Sequence, residues 1–136
     1  MADDVEMELV RIEIHEKRDR QLIQLKEKGG ERSFQIVIGY GEAAEIHRKL
    51  TRTPAPRPMT HDLCGSLLTA TGATITKVVV SDLVDSTYYA RICLDLGDGR
   101  EAELDARPSD AIALSVQFQA PIHVATKVLD KLEPGV

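Results

Sequence analysis

Three prolines in five residues, Pro54, Pro56 and Pro58, force residues 53–58 to run extended. Proline removes a backbone donor and biases the residue before it away from helix. The same order of elements can be read on either side of this segment. Before it, Val5 to Ile14 alternates apolar and polar, with a bulge expected near Val10 and Arg11. Gln21 to Lys28 and Ser33 to Tyr40 are predicted as two more strands, turning at Gly29-Gly30. Glu42 to Leu50 then carries a narrow helical stripe of Ala43, Ile46 and Leu50.

After the prolines comes the clearest helix in the chain. Thr60 is its expected N-cap, Leu63, Cys64, Leu67 and Leu68 recur at helical spacing, and Gly72 supplies a left-handed stop. Strands are predicted over Ile75 to Leu83, Thr87 to Leu96 and Glu101 to Ala106. Pro108 to Gln119 is ambiguous by period, since Ile112, Leu114, Val116 and Phe118 alternate like a strand. Pro108 suits the first helical position and Asp110 the first turn, so a helix buried on most sides is expected. A short strand at Ile122 to Val124 and a short helix from Thr126 to Leu132 close the chain.

Strand-strand-strand-helix read twice, over residues 5–50 and 74–119, predicts an α+β fold built from a duplicated unit. It implies a mostly antiparallel sheet with helices packed against it. The 136 residues, 43% hydrophobic and 29% charged, suit a single globular domain over residues 1–136. No apolar run approaches the ~20 residues of a membrane-spanning helix. The start, Met1-Ala2-Asp3-Asp4, is acidic, so no signal or transit peptide and a cytoplasmic address are expected. Cys64 and Cys93 lack zinc-ligand spacing and read as small buried side chains.

The turn at Gly97-Asp98-Gly99-Arg100 sets a register. A two-residue loop at Asp98-Gly99 would pair Leu96 with Glu101, apolar against acidic. A three-residue loop pairs Leu96 with Ala102 and Leu94 with Leu104, and is the expected one; Asp95 then faces Glu103 and Cys93 faces Asp105.

The formal charge of −5 gives the chain no general attraction for a phosphate backbone. Charge is uneven, however: residues 1–57 hold eleven bases and eleven acids, and residues 58–136 six bases and eleven acids. Between Arg48 and Arg57 stand Arg48, Lys49, Arg52 and Arg57 with no acid, a place to look for phosphate or else a solvated helix end and linker.

P-loop, GxGxxG, HExxH and GxSxG signatures are all missing. Polar residues instead gather at element ends: Glu42, Arg57, Thr60-His61-Asp62, Asp82, and the run from Asp105 to Asp110. Two segments repeat one design, an Arg-Pro before a helix whose first turn holds Asp. Free N–H groups at a helix start, with an Arg beside them, suit a phosphate, and nearby carboxylates could hold a divalent metal. The plainer reading is that Thr60, Ser109 and Asp110 cap helices while the arginines pair with local acids.

Those segments, Arg57-Pro58-Met59-Thr60-His61-Asp62-Leu63 and Asp105-Ala106-Arg107-Pro108-Ser109-Asp110-Ala111-Ile112-Ala113-Leu114, closely resemble the two hallmark stretches of the bifunctional nuclease domain family. Ile38-Gly39 with Glu42-Ala43, Asp82 with Tyr89-Ala90-Arg91, and Ala120-Pro121-Ile122 fall where that family would place them. The resemblance runs from about Val5 to Leu132 and implies an α+β fold with a repeated strand–helix unit, oligomeric assembly, and activity on both DNA and RNA. The chain departs from the pattern at His47, Arg48, Lys49 and Arg52, where the family helix is more apolar. It departs again at Gln117, Gln119 and His123, where Arg, Gly and Tyr are common. The interaction motif appended in some plant relatives is not expected after Leu132.

Two functions follow as expectations. In a metal-assisted phosphodiesterase, Asp105, Asp110, His61, Asp62 and Asp82 are the catalytic candidates, with Asp105, Asp110 and Glu42 as ligands for Mg²⁺ or Mn²⁺. Arg107, Ser109, Arg57 and Thr60 would hold the DNA or RNA backbone, with a homo-oligomer as the working form and no membrane partner. In the alternative, the same helix starts belong to a non-catalytic regulatory or scaffold module that binds a phosphorylated ligand or a partner protein. The acidic charge and the scarcity of aromatics for base stacking, three Tyr and two Phe, speak for that alternative. A purely structural role for the hallmark residues is the third reading.

Overall fold

The structure is a computed structural model and describes residues 3–132; Met1 and Ala2, half of the acidic start weighed above, lie outside them. The elements are β1 (Asp4–Glu13), β2 (Gln21–Glu27), β3 (Ser33–Ile38), α1 (Tyr40–Leu50), α2 (Thr60–Thr71), β4 (Thr74–Val84), β5 (Thr87–Gly97), β6 (Arg100–Ala106), α3 (Pro108–Phe118), β7 (Ile122–Ala125) and α4 (Thr126–Lys131). The strands form one sheet in the order β3-β2-β1-β7-β4-β5-β6. Every pairing is antiparallel except β4 with β7. Two three-stranded meanders, each leading into a helix, thus flank β7, and this is the duplicated unit. The expected bulge in β1 falls between Leu9 and Arg11.

Alternation explains which face is buried. Ile23, Leu25, Ile36, Val78, Val80, Ala90, Ile92 and Leu94 point into one core, where Ile46 of α1 and Ile112 of α3 meet them. The rings of Phe34 on β3 and Tyr88 on β5 stack with centroids 5.7 Å apart. Strands far apart in sheet order therefore approach one another, so the sheet curls and leaves a gap beside edge strand β3.

Three expectations need correction. Asp98 and Gly99 both take positive φ, 54° and 75°, and close a two-residue turn with Gly97 opposite Arg100. A bulge between Asp95 and Gly97 then restores apolar on apolar, with Leu94 opposite Ala102 and Ile92 opposite Leu104. Arg91 accordingly faces Asp105, Cys93 faces Glu103 and Asp95 faces Glu101. An extra residue in the strand saves the buried face as well as one in the loop does. Second, Met59 and not Thr60 is the N-cap of α2, and its N–H donates to the Asp62 carboxylate at 2.8 Å. Third, Cys64 and Cys93 are half-buried free thiols and not fully enclosed ones.

Candidate functional site

The starts of α1 and α3 converge on one pocket of about 350 Å³, lined by Gly39, Glu42, Arg107 and Ser109, by Ile36 to Ile38 of β3, and by the β4–β5 turn. Neither helix start has a side-chain cap, so unpaired N–H groups of the first turns remain there. Glu42 packs over Gly39: a Cβ built on that glycine would stand 2.6 Å from a Glu42 carboxylate oxygen, and a larger residue would displace the carboxylate. Ser109 is only 6% exposed, yet its hydroxyl makes no hydrogen bond to any described residue. Its oxygen stays open to the pocket, so it is a free donor and acceptor on the pocket wall.

Arg107 is the N-cap of α3, with Pro108 at the first helical position. Its guanidinium donates to Asp110 at 2.9 and 3.3 Å and across to Glu42 of α1 at 3.0 Å. Behind it, His61 Nε2 lies 2.8 Å from Asp110 Oδ1, and His61 Nδ1 lies 3.6 Å from Glu45 Oε2. Glu45 takes two hydrogen bonds from Arg48, at 2.9 and 2.8 Å. Arg48 and Lys49 in turn both reach Asp62. One chain of ion pairs therefore links the first turns of α3 and α2 to both ends of α1.

The electrostatics follow from these contacts. Burial pushes the Asp110 carboxyl up, but Arg107 and then His61 outweigh it and hold the group below the ordinary aspartate value. Asp110 also raises the Arg107 guanidinium, with Glu42 adding to it. The Lys49 ammonium and the Met59 N–H hold Asp62 far below its usual range.

Of the expected residues, Glu42, His61, Asp62, Arg107, Ser109 and Asp110 are brought together in this pocket and network. Arg57 is exposed and makes no side-chain hydrogen bond or ion pair with any described residue, and Thr60 is exposed as well. Asp105 is exposed on edge strand β6, opposite Arg91. Asp82 sits on β4 and accepts from the Leu83 N–H at 2.8 Å and from Lys131 of α4 at 3.2 Å. It anchors α4. Among the described residues no three His, Cys, Asp or Glu side chains form a group that could hold a metal ion. Glu42 and Asp110 are both engaged by Arg107, so the set of Asp105, Asp110 and Glu42 does not fit a cation as it stands.

Glu45 was missed in the sequence. It is only 7% exposed and carries the link between Arg48 and His61. The signal was there, because Glu45 precedes Arg48 and Lys49 by three and four residues, the spacing at which helical side chains meet. Gln119, standing where glycine is common in the family, adopts the left-handed φ of 56° that glycine takes without strain.

Known proteins are similar to this chain in sequence. The model of the bifunctional nuclease domain matches residues 22–134. An uncharacterised protein of Mycobacterium tuberculosis is 35% identical over 124 residues, which is 91% of this chain and 73% of that protein. Bifunctional nuclease 1 of Oryza sativa subsp. indica is 25% identical over 104 residues, covering 75% of this chain and 31% of the rice protein. No helix among the described residues is long and apolar enough to cross a membrane. Both hallmark stretches lie in the matched region and supply the Arg107, Asp110 and His61 cluster: the chain belongs to the bifunctional nuclease domain family.

Proposed function

We propose that this chain hydrolyses phosphodiester bonds in DNA and RNA without sequence preference, at the pocket between the starts of α1 and α3. The observation that carries this reading is the meeting of Arg107, Asp110 and His61, from segments 49 residues apart in sequence, beside a serine hydroxyl that opens into the pocket. Arg107 offers a planar fork of donors, Ser109 a hydroxyl, and the two helix starts offer free N–H groups. Together these match the oxygens of one phosphate. Contact with the backbone alone makes the site indifferent to base and serves both nucleic acids.

A phosphate on Arg107 competes with Asp110 and Glu42 for the same guanidinium. The carboxylate it releases then accepts the proton of a water attacking phosphorus, a new P–O bond forms, and the ester oxygen leaves and takes up a proton. His61, held between Asp110 and Glu45, is the side chain placed to pass that proton on. No step is assigned to a divalent cation; Mg²⁺ or Mn²⁺ would need Arg107 withdrawn from both carboxylates. The same proposal places the protein in the cytoplasm as a homo-oligomer, with the outward Leu63 and Leu67 of α2, 56% and 59% exposed, as a face for a second copy.

Hydrolysis of labelled single-stranded DNA and RNA, with Mg²⁺, Mn²⁺ or EDTA, tests the reading in wild type, Asp110→Asn and Asp105→Asn. Cleavage should fall about a hundredfold or more in Asp110→Asn and persist in Asp105→Asn. Equal cleavage in all three would remove the site from the reaction. No cleavage by the wild type, with phosphorylated small molecules still bound, would favour the non-catalytic module.

A further inference from the structure

We propose that the β1–β2 loop, through Lys17, Arg18 and Arg20, is the backbone-binding track that holds a nucleic-acid strand running into the pocket; this rests on the nucleic-acid reading above. The argument begins with a deficit. Every cation of the candidate site is matched: Arg107 by Glu42 and Asp110, Arg48 by Glu45 and Asp62, Lys49 by Asp62. Polyanion affinity comes from cations that release counterions from phosphates, and a chain of charge −5 has little to spare. Holding power has to come from cations with no carboxylate of their own.

Lys17, Arg18 and Arg20 are exposed and make no side-chain ion pair with any described residue. They line one open hollow of about 590 Å³, which runs up to Val37 on edge strand β3. Val37 also lines the pocket of Arg107 and Ser109, so the two hollows share one wall. A strand leaving that pocket over the 51%-exposed Val37 meets the loop. Arg52 is unpaired too, but it lies past the C-terminal end of α1, away from the pocket at the helix start. The acids that face the cations are Glu16 and Asp19 of the loop and Glu13; Glu13 is tied to Arg11 and His15.

The loop is built in advance of any ligand. Gln21 is 1% exposed and accepts from the His15 N–H. Its amide donates to the carbonyls of His15 at 3.1 Å and Arg18 at 2.7 Å. The Arg18 N–H closes the turn onto the His15 carbonyl at 3.0 Å. A buried glutamine with three bonds to one loop fixes its course, so the backbone that carries the cations is ordered before binding.

The test is fluorescence anisotropy of fluorescein-labelled twelve-nucleotide single-stranded RNA and DNA across a salt series. It compares wild type, the triple Lys17→Gln/Arg18→Gln/Arg20→Gln variant and an Arg52→Gln/Arg57→Gln control, all checked for an unchanged thermal melt. The triple variant should bind about tenfold or more weakly near 0.1 M salt, with the slope of log K against log salt reduced by about 2, near 0.7 for each cation lost. The control should stay close to wild type. A triple variant with wild-type affinity and slope overturns the track while leaving the nucleic-acid reading intact. Weakening in the control instead moves the path to the far end of α1 and also overturns it. A wild type that binds neither oligonucleotide overturns the nucleic-acid reading itself, and the track with it.

Discussion

The helix starts at residues 57–62 and 107–110 are written alike, each an Arg-Pro followed by an acid in the first turn, and they are used differently. In α3 the proline is the first helical residue and Arg107 the N-cap, so the guanidinium folds back onto Asp110 and reaches Glu42. In α2, Pro58 and Met59 both precede the helix, and Arg57 makes no side-chain hydrogen bond or ion pair with any described residue. Asp62 then caps Met59 and binds the cations of α1. A shift of two residues between the Arg and the helix converts a site residue into a linker residue. The helices behind these starts differ in the same sense. Ile112 of α3 is fully buried, while α2 buries only Gly65, whose Cβ would stand 2.2 Å from the Gln117 amide.

The largest effect expected from this comparison is on activity. Arg107→Ala should lower cleavage of single-stranded substrates about 10²–10³-fold, as loss of a charge-stabilising donor does. Its melting should change by no more than the ~1 kcal/mol of an exposed ion pair. Arg57→Ala, assayed beside it, should stay within about twofold. Equal losses in both variants would mean that the two starts act together and that the geometry described for Arg57 does not hold in solution.

A smaller effect falls on stability. Ile112→Ala should cost about 2–5 kcal/mol in urea unfolding, the range for deleting most of a buried aliphatic side chain. Leu67→Ala, at a position 59% exposed, should stay within about 0.5 kcal/mol in dilute protein. A cost for Leu67→Ala that grows with protein concentration would show a second copy on α2 and sharpen the contrast.

The smallest effect is on pH dependence. Asp62 is depressed in the folded state below its ordinary value of 3.8, so its contribution is complete above that value. It is lost as the pH falls through the folded value. The stability gap between wild type and Asp62→Asn should therefore be constant near neutral pH and narrow below pH 3.8, as followed by urea midpoints across an acid series. A gap that widens on acidification would contradict the ion pairs drawn around Asp62.

Much of this was legible because it is local. The alternation of Thr87 to Leu96, the bulge near Val10, the stop at Gly72 and Pro108 opening a helix all depend on neighbours a few residues away, and local stereochemistry decides them. The hairpin at Asp98-Gly99 was misread because loop length and strand bulge conserve the buried face equally well, and only strand packing chooses between them. Thr60 was misread because the N-cap is the apolar Met59, whose backbone N–H is satisfied by Asp62 from within the helix. Most of the site was visible as polar residues at element ends, yet Asp105, Asp82 and Arg57 stood in the sequence as strongly as Asp110 and Arg107.

By itself the sequence determined the elements, their order, the face each strand buries and the family to which both hallmark stretches belong. Each of those is set by short-range periodicity or by contiguous residues. Tertiary structure decided that α2 stands outside the core, the place of β7 between the two meanders, and the contact of His61 with Asp110. Those outcomes depend on the competition among helix faces for one core and on side chains 49 residues apart meeting at 2.8 Å. Spacing along the chain carries no record of them.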